Sequence, residues 1–116
     1  MKVKTSELSG KALDWAVAKA NAFSDESLRL LLGACSEDYR PSKDWCDCGP
    51  LIDAHSPVIT ICRGMVRTEI ATLENDVSAT GIGIGITYTI SFCRALVSLK
   101  LGDEVDIPDE LMETMK

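Results

Sequence analysis

The first regular pattern along the chain is helical. Ala12, Leu13, Ala16, Val17 and Ala20 recur at spacings of three and four, the period that gathers side chains on one face of a helix. Ser9 stands ahead of them as an N-cap, while Lys11, Asp14 and Lys19 fall outside the stripe, so a helix over residues 10–22 is predicted. A shorter second helix is predicted from Ser24, a cap followed by Asp25 and Glu26 where the helix dipole favours acids, then Leu28, Leu30, Leu31 and Leu32 up to Gly33. Polar and turn-forming residues dominate residues 36–56, and Pro41 and Gly49-Pro50 argue against a regular element across that region. The expectation there is a long binding loop, ordered by Tyr39 and Trp45. Two β-branched runs follow, "PVITIC" and "VRTEIAT", separated by Arg63-Gly64, and they read as a hairpin.

Residues 79–102, "ATGIGIGITYTISFCRALVSLKLG", carry two patterns at once. Ile82, Ile84, Ile86, Tyr88, Ile90 and Phe92 alternate with small residues as in a strand, but the alternation stops at Cys93. Counting back from Gly102, a natural helix-ending glycine, Leu101, Val97, Cys93, Ile90 and Ile86 recur at helical spacing. The prediction is an extended or looped segment over 81–86, a cap at Thr87 and a helix over 88–101. Glycines at 81, 83 and 85 fit two roles: close packing of backbone against another element, or N–H groups that meet an anion beside a helix N-terminus. "GIGIG" matches neither a dinucleotide fingerprint nor a Walker loop.

Composition narrows the function classes. The 116 residues, 46% of them hydrophobic and 26% charged, suit one domain with one core, and no linker or repeat divides them. Eighteen acids against twelve Lys and Arg give a net charge of −6, which disfavours extended nucleic acid as a partner. Six of those acids lie between Asp103 and Glu113, where a solvated acidic face is expected. No apolar run approaches the ~20 residues of a membrane span, and "MKVKTSELSG" has no apolar signal region, so a soluble, cytoplasmic protein without a membrane partner is expected. Five cysteines without a secretory signal point to reduced thiols.

Several constellations invite chemical readings. Cys46, Cys48, His55 and Cys62 contain zinc-ligand types, but C-x-C is tighter than a zinc knuckle and no second knuckle follows. Neither a metal nor a cofactor is expected, and Cys35, Cys62 and Cys93 read as small buried residues. Cys46 with His55 has no orienting third group. Asp44, Asp47 and Asp53 suit a magnesium or hydrolytic site, or simply turns and caps. Tyr39 and Trp45 can stack on a ligand ring or pack the loop onto the core.

The blocks "MKVKTSELSGKALDWAVAKA", "YRPSKDWCDCGPLI" and "RALVSLKLGDEVDIPDEL" resemble, in order, the NinX family of small proteins encoded in the nin region of lambdoid bacteriophages. The chain departs from that pattern at Cys48, where the family tends to have glycine, and at residues 85–88, where it tends to have a G-P-T-P-like entry. No activity comes with the resemblance. It implies a single NinX-like domain spanning residues 1–116, made in the cytoplasm of an infected bacterium as an accessory factor that counters host defence.

Joined to the pattern, this yields an α+β fold, with helices at each end on a small antiparallel sheet and the 39–51 loop beside the N-terminus of the last helix. The expected function is non-enzymatic capture of a small anionic, nucleotide-like ligand by Gly83, Gly85 and Thr87, with Tyr39 or Trp45 stacking on it, in a chain that can also form a homo-oligomer. The alternative is inhibition of a basic host defence protein through the acidic surface. A small metal- or cysteine-dependent hydrolase built on Asp44, Asp47 or Cys46 is the third reading.

Overall fold

The computed structural model of the protein describes residues 2–21, 40–74 and 77–108. Cys35, Tyr39, the helix expected from Ser24 and the end of the acidic tail lie outside the described residues. In chain order the elements are β1 (Lys2–Lys4), a 3-10 turn (Thr5–Glu7), α1 (Gly10–Ala20), α2 (Trp45–His55), β2 (Val58–Cys62), β3 (Met65–Glu74), β4 (Val77–Gly85), α3 (Tyr88–Leu101) and β5 (Glu104–Asp106). Both sheets are antiparallel, one of three strands in the order β2-β3-β4 and one pairing β1 with β5. The fold is α+β.

The helix α1 forms where the periodicity places it, with Ser9 in extended geometry at its N-cap. Its buried surface is wider than the predicted stripe and runs from Ala12 to Ala18, taking in Trp15 and also Asp14, which is 5% exposed. Asp14 falls outside the apolar stripe and is buried all the same. Its carboxylate accepts the Ser42 N–H at 2.8 Å, which gives the buried oxygen a partner.

The expected long loop contains α2, which corrects that expectation. Asp44 caps it by accepting the Cys46 N–H at 2.8 Å, and Cys48 is fully buried with Leu51 and Ile52 against the core. Pro50 lies inside this helix and removes one hydrogen bond. A good cap and an apolar face outweigh that weak local propensity, because tertiary packing supplies most helical stability in a folded protein.

The hairpin forms as expected. Arg63 and Gly64 have φ of 52° and 79°, the two left-handed residues of a type I′ turn, whose twist matches that of the strands it joins. The ambiguous glycine segment is a strand: β4 pairs along β3, with Gly85 opposite Val66, Gly83 opposite Thr68 and Gly81 opposite Ile70. Their shared face lies directly beneath α3. A Cβ on Gly81 would come within 2.3 Å of the Ala95 carbonyl oxygen, and one on Gly83 within 2.2 Å of that of Ser91. Only a surface without side chains lets the helix backbone settle this closely.

The helix α3 is the centre of the molecule, with β3 and β4 on one side and α1 and α2 on the other. Phe92, Cys93, Ala95, Leu96 and Val97 are fully buried among Leu8, Leu13, Val17 and Ile70. Thr87 caps it by accepting the Ile90 N–H at 3.1 Å. Between helix and sheet, Ser91 donates its hydroxyl proton to the Gly83 carbonyl at 2.9 Å, so Thr68 must donate to Ser91 across their 2.8 Å contact.

The ribbon of β1 and β5 was not expected. Val3 faces Val105, both buried, while Lys2 pairs across from Asp106 and Lys4 from Glu104. Part of the presumed solvated acidic face is thus an alternating strand with its apolar side on the core.

Candidate functional site

A cleft of about 300 Å³ opens between β4 and the β1–β5 ribbon. Arg94 and Ser98 of α3 line its inner side, Ile82, Gly83 and Ile84 supply one wall, and Lys4, Thr5, Ser6, Asp103 and Glu104 supply the other. Topology creates it: β4 is an edge strand, and the chain leaves α3 at Gly102 (φ 91°) to return beside Lys4 without reaching the sheet. Thr5 fastens the far wall, donating its N–H to the Asp103 carbonyl at 2.7 Å and its hydroxyl to that of Gly102 at 2.6 Å.

Arg94 holds the two walls in register. Its Nε donates to the Leu8 carbonyl at 2.9 Å and its Nη1 to the Ile84 carbonyl at 2.7 Å. Partial burial lowers its pKa, yet a guanidinium remains charged at neutral pH. Among the described residues both of these partners are neutral carbonyls, so the cation is held without a carboxylate bonded to it. The charges around it are mixed, Lys4 on one hand and Asp103 and Glu104 on the other.

The residues singled out in the sequence are placed differently. Gly83 meets the cleft through its backbone only, since its free face is closed by α3. Gly85 is buried beneath Ile90 and Ser91 and lies outside the cleft lining. Thr87 directs its hydroxyl to the end of its own helix, with Thr89 Oγ1 3.2 Å away. Trp45 is 57% exposed, and its ring centroid lies 6.4 Å from that of Tyr88 at the N-terminal end of α3. The 40–48 segment does lie beside that helix end, anchored where Thr89 donates to the Ser42 carbonyl at 2.7 Å. Glycines, cap and tryptophan are therefore neighbours in the fold, and of Trp45, Gly83, Gly85 and Thr87 only Gly83 lines the cleft.

Three residues of the hydrolytic and zinc constellations are engaged by backbone groups. Asp44 caps α2, Asp47 accepts the Arg40 N–H at 2.9 Å, and His55 has Nδ1 2.8 Å from the Leu51 carbonyl oxygen and its ring centroid 6.0 Å from that of Phe92. Cys46 and Cys62 are exposed, the latter contrary to expectation, because it ends β2 at the hairpin tip. Cys48 and Cys93 are buried together, and the hydrogen bond to Cys48, reinforced by burial, holds the Cys93 thiol well above its usual range. Among the described residues no three His, Cys, Asp or Glu side chains are grouped to hold a metal ion.

Sequence reasoning passed over Arg94. A signal was present, for it is the sole charged residue between Tyr88 and Leu99. A cation kept in so apolar a helix needs a reason, and the two carbonyls and the cleft supply it. No family model matches the chain, and no curated protein matches it. Among the described residues no helix is long and apolar enough to cross a membrane.

Proposed function

We propose that this protein is a non-enzymatic binding module that captures a small anionic, nucleotide-like ligand in the Arg94 cleft, acting in an infected bacterium against host defence. The observation that carries the reading is a 300 Å³ concavity, at the lower end of the size typical of ligand sites, with a guanidinium held at its inner side by two carbonyls. A phosphate or carboxylate group fits Arg94 and Lys4, because charge-assisted bonds to oxyanions are the strong ones. Ile82 and Ile84 border the cleft along β4. Asp103 and Glu104 accept from hydroxyl or amino groups and oppose additional negative charge. The favoured ligand thus carries one anionic group and several donors. The phage context rests on the resemblance to the NinX family.

The rival reading, a basic host protein held by the acidic surface, draws less support from the ribbon. Glu104 and Asp106 stand across from Lys4 and Lys2, so that strand pair presents balanced charge.

The test is native mass spectrometry of protein purified from phage-infected, defence-competent cells, followed by calorimetric titration with cyclic and linear mononucleotides. Arg94→Gln is expected to weaken binding by roughly 10- to 100-fold, as for loss of a charged hydrogen bond. Because Arg94 also ties the two walls together, Ser98→Phe serves as a second variant that fills the cleft. An empty protein that binds none of these nucleotides sinks the capture reading.

A further inference from the structure

Among the described residues, the three-stranded sheet has one face beneath α3 and no element packed on the other. On the open face, register places Ile84, Arg67 and Thr60 in one row and Ile82, Glu69 and Val58 in the next. Val58 is 63% exposed, Ile84 50% and Ile82 45%, so exposed apolar side chains flank a charged centre. At its centre Arg67 Nη1 lies 3.3 Å from Glu69 Oε2, with both side chains 40% exposed.

We infer that a second copy of this chain covers the face, packing sheet on sheet. Two flat faces related by a twofold require the axis to lie in the plane between them, which leaves two simple choices. An axis along the strands sets Arg67 over Arg67 and Glu69 over Glu69 of the second copy, and like charges oppose it. An axis across the strands at the level of Thr68 sets Arg67 over Glu69 of the second copy and the reverse. The same operation sets Ile82 over Ile84, and Val58 over Thr60. The face is therefore complementary to itself in charge and in apolar content about one axis, as an isologous dimer requires. A standard interface takes roughly 800 Å² from each partner, about an eighth of the 6882 Å² surface of this chain. This dimer does not rest on the capture reading.

The experiment is sedimentation equilibrium of the full chain from 1 to 100 μM, with circular dichroism to verify folding. The expected mass is twice the 12.6 kDa of one chain. Arg67→Glu and Glu69→Arg should each weaken the dimer by at least tenfold while remaining folded, and the double swap R67E/E69R should restore it. Val58→Asp should also give monomers. A wild-type monomer at 100 μM overturns the inference, and so does a dimer indifferent to the single reversals. Failure of the double swap to restore association overturns the proposed axis and the inference with it.

Discussion

Placing one methyl group on Gly83 tests the feature on which the fold turns. In Gly83→Ala the new Cβ would lie 2.2 Å from the Ser91 carbonyl oxygen and 2.3 Å from the Ala95 nitrogen, both backbone atoms of α3. Neither can rotate aside as a side chain would, and ordinary contact begins near 3.4 Å. Helix and strand must therefore separate by about 1 Å. A gap of that size forfeits a quarter to a half of the dispersion energy of the contacts it opens. It would also strain the Ser91 hydrogen bond to the Gly83 carbonyl. Overpacking a core costs about 1 to 3 kcal/mol, and with backbone on both sides the expected loss is about 3 kcal/mol.

Urea unfolding followed by circular dichroism reads this as a fall of about 1 to 3 M in the midpoint, given a typical slope of ~1 to 3 kcal/mol/M. Gly49→Ala is the control: beyond its chain neighbours nothing lies within 4 Å of its added Cβ, and it sits inside α2 directly before Pro50. There the substitution should change stability by less than about 1 kcal/mol, because the helix gain from alanine is opposed by its contact with the Pro50 ring. If Gly83→Ala unfolds within 0.5 kcal/mol of the natural protein, α3 does not rest on the β4 backbone, and the account of the glycines is refuted.

Two further outcomes follow from buried and capping groups. Burial raises the pKa of Asp14 above its ordinary 3.8, so the folded state binds its proton more tightly than the unfolded chain does. Stability from this group is complete below pH 3.8 and is lost as pH rises through the folded value; Asp14→Asn should remove that decline, measured as Tm against pH between 3 and 7. Thr87→Ala deprives the Ile90 N–H of its acceptor and should cost about 1 kcal/mol by urea unfolding, with Thr87→Ser close to the natural protein.

Local pattern determined α1, the hairpin turn, the Thr87 cap and the span of α3, because each depends on neighbours in sequence: a 3.6-residue period, two residues of positive φ, a hydroxyl three positions before an N–H. The NinX resemblance and the capture function are readings of the sequence. The tertiary structure alone decided what the glycines do. Bare backbone suits a passing anion and a packed helix equally, and the choice fell to α3 lying on β4. Tertiary packing also decided that Gly49-Pro50 sits inside a helix and that Asp14 is buried. It joined two short segments a hundred residues apart, Lys2–Lys4 and Glu104–Asp106, whose pairing no local window contains. The Arg94 cleft belongs to that second class. Its walls come from the chain start, the edge strand, the last helix and the returning tail, and only long-range packing brings their side chains around one space.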